Sequence, residues 1–114
     1  MASKARKRET VAAGTGDVFF DLGLADAGER KLRVQLALRV NDLISEYHLT
    51  QAKAAVLFGI PQPHVSELKN YKLSRFSSER LMRIITLLDR DVEILIRPKA
   101  KGHTSGLVSV LVTP

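Results

Sequence analysis

Residues Leu49–Asn70, LTQAKAAVLFGIPQPHVSELKN, carry the pattern that decides the fold, because they predict two short helices joined by a tight turn. Thr50 can cap the first helix. Gly59 follows the last periodic residue, where a left-handed residue ends a helix at low cost. The apolar residues of this first helix repeat at helical spacing and are expected in the core: Ala54, Leu57 and Phe58.

The second helix of the pair follows the turn Gly59-Ile60-Pro61. Pro61 and Pro63 suit its first turn, since the amides there have no intrahelical acceptor. Val65 and Leu68 form one apolar edge, which we assign to the core. The other face carries polar and basic side chains: Gln62, His64, Ser66, Glu67, Lys69 and Asn70. This layout predicts a helix-turn-helix that reads DNA.

The same stretch resembles the XRE, or Cro/CI-like, DNA-binding family, and the resemblance covers roughly residues 16–98. The segments GDVFFDLGL (Gly16–Leu24) and FSSERLMRIITLLDRDVEILIRP (Phe76–Pro98) make it similar to the HigA-like antitoxins. The resemblance implies a lambda-repressor-like bundle, repression of its own operon as a homodimer, and an RNase-type toxin as partner. The sequence departs from the family at Asn70-Tyr71, where Gly is usual, and at Lys53, where Glu is frequent.

Composition is compatible with a small intracellular protein. The 114 residues are enough for one domain with a modest core. Cysteine is absent, which excludes disulfides, thiolate zinc sites and cysteine nucleophiles. The chain has no apolar run of membrane-spanning length, and its N-terminus lacks the apolar core of a signal peptide. We therefore expect a cytoplasmic protein with no membrane partner.

The formal net charge of +6 is concentrated around the predicted motif. From Lys53 to Arg83 there are six basic residues, and the acidic residues are Glu67 and Glu79. A solvated surface is one interpretation of such a cluster. Its coincidence with the predicted reading helix favours attraction of DNA phosphates instead.

The flanking segments complete a mainly α prediction. Residues 1–15 form a polar basic tail, interpreted as disordered or alternatively as an arm that grasps DNA. Residues 16–90 are the DNA-binding domain, opening with an apolar clasp at Gly16–Leu24. A long helix is predicted from about Asp26 to Tyr47, with Glu29 completing a capping-box-like start. Its buried stripe comprises Leu32, Leu36, Val40, Leu43, Ile44 and Tyr47.

The next predicted helix begins after Ser77, a capping residue bracketed by Phe76 and Leu81 as a hydrophobic staple. Its inward-facing residues repeat at helical spacing: Leu81, Ile84, Ile85 and Leu88. The fold class is therefore a bundle of four or five helices containing a helix-turn-helix, followed by one or two C-terminal β-strands.

The C-terminal segment, residues 91–114, changes pattern to strand-like alternation. Val92, Ile94 and Ile96 alternate with other residues until Pro98, and residues 107–112, LVSVLV, form a second β-like run. An isolated hairpin is marginal in water. Pairing between two chains would make this segment a dimerisation element. A hairpin folded onto its own helices is the alternative, and residues 107–112 can also be a disordered extension.

Catalytic interpretations find little support. His48, His64 and His103 have no metal-ligand spacing. Ser66 and His64 lie about 200° apart on a helix, unsuited to a nucleophile and its base. No glycine-rich phosphate loop is present. We predict a protein that is not an enzyme and uses no cofactor or metal.

The predicted mechanism is a homodimer that places one reading helix per subunit in successive major grooves of an inverted-repeat operator. Gln62 is expected to read adenine, and Lys69 a guanine edge or a phosphate. Gln51 is expected to anchor the DNA backbone together with the amides of its helix. A solvated role is the alternative for each of these polar residues. The full set of predicted DNA-binding residues is Gln51, Lys53, Gln62, His64, Ser66, Lys69, Asn70, Lys72 and Arg75.

Two classes of function stay open, a stand-alone XRE-type repressor and an antitoxin whose main task is to neutralise a toxin. RNA binding is a weaker third interpretation, because the chain has no ribonucleoprotein aromatic motif and only two Tyr and four Phe.

Overall fold

The computed structural model describes residues 23–113 and contains four helices in that range. Their bounds are α1 Gly23–Glu46, α2 Gln51–Phe58, α3 Gln62–Lys69 and α4 Ser78–Leu87. The predicted basic tail, and the predicted apolar clasp apart from its last two residues, lie outside the described residues. None of the four helices is long and apolar enough to cross a membrane.

The long first helix begins earlier than predicted. α1 starts at Gly23, so Asp26 and Glu29 lie inside its first two turns and do not form its start. Its predicted stripe packs inward in the middle of the helix, at Leu36, Val40, Leu43 and Ile44. Tyr47 is 39% exposed, so its predicted place in the buried stripe is wrong, and its hydroxyl donates to the Leu88 carbonyl at 3.0 Å.

Residues 33–93 form one compact unit that holds the hydrophobic core. α2 packs against both α3 and α4. The core members from the last three helices and their connecting loop are each less than a tenth exposed: Ala54, Ala55, Phe58, Val65, Leu68, Leu73, Phe76, Leu81, Ile84, Ile85 and Leu88. The inward face predicted for α4 is confirmed, and so is its cap, since the Ser77 hydroxyl accepts from the Arg80 amide at 3.1 Å.

The predicted burial of Leu57 is also wrong. Leu57 is 43% exposed, and the buried edge of α2 is formed by Ala54, Ala55 and Phe58. Helical spacing is satisfied both by the predicted edge with Leu57 and by the observed edge with Ala55. In a helix of 8 residues, periodicity therefore does not decide which edge packs against the neighbouring helices.

Residues 94–113 belong to a second unit, together with residues 23–32. Within residues 91–113 the single chain has neither helix nor strand. Ile94, Leu95 and Ile96 are 76%, 79% and 90% exposed. The predicted C-terminal strands are thus not seen within one chain, and strand pairing between two chains stays a prediction.

Candidate nucleic-acid interface

The turn of the helix-turn-helix is fixed by local hydrogen bonds. The Thr50 hydroxyl accepts from the Lys53 amide at 3.1 Å and caps α2. Gly59 has φ 70°, a left-handed conformation that costs glycine little. The amides of Gly59 and Ile60 donate to Val56 and Ala55 carbonyls at 3.3 Å and 3.1 Å, which closes the end of α2. The predicted cap and turn are confirmed.

α3 is attached to the bundle by a narrow apolar edge. Val65 and Leu68 are each 0% exposed, and Asn41 on α1 donates to the Leu68 carbonyl at 3.3 Å. At 3.6 residues per turn, one group of side chains lies about 130° to 170° around the axis from that edge: Pro63, Ser66, Glu67 and Asn70. This group forms the outward face of α3.

Residues at the two ends of α3 flank its outward face. Gln62 and Lys69 are exposed. His64 is half-buried, and its Nδ1 atom is buried without a hydrogen-bond partner among the described residues. This placement leaves Gln62 and Lys69 accessible to a ligand along the helix and His64 less so.

The end of α3 forms without a glycine, because other residues take the conformation that glycine usually adopts there. α3 ends at Lys69, and Tyr71 adopts the left-handed conformation itself, with φ 59°. The amides of Tyr71 and Lys72 donate to the Leu68 and Glu67 carbonyls at 3.1 Å and 2.9 Å, a complete Schellman ending. The side-chain amide nitrogen of Asn70, Nδ2, donates to the Ser66 carbonyl at 2.9 Å, which uses one of its two donor hydrogens.

The loop after α3 carries basic side chains, and its backbone is held by buried residues and hydrogen bonds. Leu73 and Phe76 are buried, and Arg33 on α1 donates to the Leu73 carbonyl at 3.1 Å. Arg80 donates to the Arg75 carbonyl at 2.9 Å, and its guanidinium lies 5.0 Å from the centre of the Phe76 ring. The backbone that presents Arg75 is therefore anchored at both its ends.

Arg75 is not a free cation. Its Nε donates to Glu67 Oε1 at 2.8 Å, so that the basic loop contacts the outward face of α3. Glu67 was not among the residues predicted to bind DNA. Its position on the outward face beside Ser66 and Asn70 was a weak sign that it could contact DNA. Its partner Arg75, eight residues away, could not be predicted, because the pairing depends on the path of the loop.

The remaining predicted residues belong to the same compact unit. Gln51 is half-buried in the first turn of α2, while Lys53 and Lys72 are exposed on α2 and in the loop. Among the described residues no three His, Asp or Glu side chains lie close enough to hold a metal ion.

Comparison with known proteins gives two matches to this arrangement. Residues 18–97 match a family described as a helix-turn-helix domain. A solved structure named as an XRE family transcriptional regulator is similar, with 46% sequence identity and a TM-score of 0.74, over 77% of this chain and 99% of that chain. No curated protein matches the chain significantly. The chain therefore belongs to the helix-turn-helix family of XRE-type, DNA-binding transcriptional regulators.

Proposed function

We propose that the chain is a sequence-specific repressor that inserts α3 into the DNA major groove as a homodimer. The observation that carries this proposal is the division of α3 into two faces. Val65 and Leu68 are completely buried, while a polar face with flanking Gln62 and Lys69 stays open to a groove.

In this proposal the exposed polar residues of α3 read bases. Gln62, exposed in the first turn, can offer its amide to adenine N6 and N7. Lys69 can reach a guanine edge or a phosphate. Ser66 and Asn70 lie on the outward face, and His64 can contact a base or a phosphate.

The phosphate contacts come from the flanks of the motif. Gln51 and the first amides of α2 provide a backbone anchor, because the amino end of a helix attracts anions. Lys53 and Lys72 are exposed and free to supply charge. Arg75 contributes through the guanidinium nitrogens that Glu67 does not occupy.

The dimer is proposed to form through the C-terminal segment. Ile94, Leu95 and Ile96 are consecutive and largely exposed, which is costly in water for an isolated chain. Antiparallel pairing of two such segments across a two-fold axis would join two chains, and an inverted-repeat operator then requires their two α3 helices on half-sites about 34 Å apart.

The test is a titration with an operator selected from random duplexes. Gln62→Ala should weaken operator binding by roughly 1 to 3 kcal/mol and leave random DNA nearly unaffected. Lys72→Ala should weaken both equally and lower the salt slope by about one per subunit. Equal losses on both DNAs for Gln62→Ala would remove it from the base-reading set.

We further propose that the repressor is the antitoxin of a toxin–antitoxin pair, with an RNase-type toxin as partner. The HigA-like resemblance supports it. So do the exposed apolar residues of the second β-like run, Leu107, Val108 and Leu111, which the pairing of residues 92–96 leaves uncovered. The alternative is a stand-alone repressor in which these residues serve the dimer alone.

Coexpression with the adjacent small reading frame separates these alternatives. An antitoxin should copurify with that product and restore growth when the product is toxic. A harmless neighbour that does not copurify would leave the stand-alone repressor.

A further inference from the structure

The outward face of α3 contains one acidic side chain, which is unexpected on a surface that approaches DNA phosphates. Glu67 lies next to Ser66 and one turn before Asn70. A carboxylate there would be repelled by the DNA backbone unless its charge were offset.

Arg75 supplies that offset and also fixes the direction of the carboxylate. Its Nε binds Oε1 of Glu67 at 2.8 Å, and its own backbone carbonyl is held by Arg80 at 2.9 Å. Buried Leu73 and Phe76 anchor the intervening loop. The backbone that carries Arg75 is therefore fixed before any ligand arrives, and the Arg75 side chain pairs with the carboxylate from that fixed position.

The pair retains hydrogen-bonding capacity toward the groove. An ionised carboxylate has about four acceptor sites, and Nε occupies one of them. The Glu67 side chain remains 32% exposed, so part of it is accessible from outside. Glu67 can accept a hydrogen bond from a base while it is held by Arg75.

The chemistry of the major groove selects the base. Cytosine presents only the N4 amino donor, whereas adenine presents its amino donor beside the N7 acceptor, which would repel a carboxylate. Guanine N7 and O6 and thymine O4 are all acceptors. An oriented carboxylate is complementary to cytosine alone.

We infer that Glu67 reads a cytosine amino group in each half-site and that Arg75 is its positioning residue. This inference rests on the proposed insertion of α3 into the major groove. It makes Glu67 a determinant of specificity, and it makes Arg75 act on base preference in addition to phosphate attraction.

The experiment is selection of duplexes from a random pool by the full chain and its variants. Wild type should select a cytosine at one position of each half-site. Glu67→Gln should change that position to adenine, because a carboxamide pairs with N6 and N7, and should bind the original operator roughly tenfold to a hundredfold more weakly. The other selected positions should stay unchanged.

Arg75→Ala tests the positioning role. It should blur the preference at the same position, and it should have no further effect on that preference when Glu67 is already alanine. Glu46→Gln is the matched control, since Glu46 on α1 also pairs with arginines, Arg39 at 3.4 Å and Arg90 at 3.7 Å. That control should retain the full wild-type consensus.

Two results would overturn the inference. One is an unchanged consensus for a folded Glu67→Gln variant. The other is tighter binding of Glu67→Ala to every sequence, which would mean that Glu67 only competes with DNA for Arg75. A wild-type chain that selects no consensus at all would instead refute the proposed function.

Discussion

Replacing Leu68 by alanine should remove the main support of α3, and Leu57 offers a matched control. Both leucines lie in the helix-turn-helix, yet Leu68 is 0% exposed and Leu57 is 43% exposed. Leu68→Ala deletes buried carbons and leaves a cavity, for an expected loss of about 2 to 5 kcal/mol in the free energy of unfolding. In a domain of this size such a loss should lower Tm by about 8 °C or more, at roughly 4 to 8 °C per kcal/mol.

Leu57→Ala should cost far less. Because the Leu57 side chain is partly exposed, its burial contributes only about half of the full transfer free energy of a leucine. Its removal leaves no closed cavity, and alanine is the better helix former. We expect a loss below about 1 kcal/mol. The difference between the variants therefore isolates burial, since the chemical change is identical.

Urea unfolding followed by circular dichroism measures both variants, at several protein concentrations because a dimer unfolds in a concentration-dependent way. Gel shifts on the selected operator supply the functional measurement. Equal losses of stability in the two variants would refute the assignment of Leu68 as the anchor of α3. So would a Leu68→Ala variant that keeps full operator affinity.

Three further outcomes are expected. Ile94→Pro should remove a ladder donor from the proposed dimer strand, giving monomers by light scattering and weaker operator binding; a dimer of unchanged size would exclude that strand as the interface. Tyr71→Gly should raise the free energy of unfolding by about 0.5 kcal/mol, because relief of the left-handed strain exceeds the added entropy of the unfolded chain, and a loss of stability would show that the tyrosine ring packs. Ser77→Ala should lower it by about 1 kcal/mol through loss of the α4 cap, and an unchanged melting temperature would contradict this.

The local parts of the fold were predictable because their causes are local. Thr50, Gly59 and Ser77 act on amides within four residues, so their types and positions predicted helix ends that the structure has. Val65 and Leu68 were predictable as an apolar edge because only one such edge exists on α3.

Features that depend on the course of the chain were not predictable. The burial of Ala55 in place of Leu57 is set by where α3 and α4 pack on α2. The Glu67–Arg75 pair depends on a loop whose path is set by buried Leu73 and Phe76. The alternation at Val92, Ile94 and Ile96 has the same form whether the partner strand belongs to the same chain or to another.

The exposed β-like run should also affect how fast the protein is degraded and how readily it aggregates. Residues 107–112, LVSVLV, contain no charge and no proline, which is the composition of segments that stack into cross-β aggregates. The preceding Lys99 and Lys101 suit the role of gatekeepers that slow such stacking. A free chain should still be a substrate for proteases and prone to aggregate on storage, whereas a chain with this run covered should persist. The steady-state amount of the protein should then depend on the amount of the partner that covers residues 107–112. The degradation rate of the chain would report how much of it is bound to that partner.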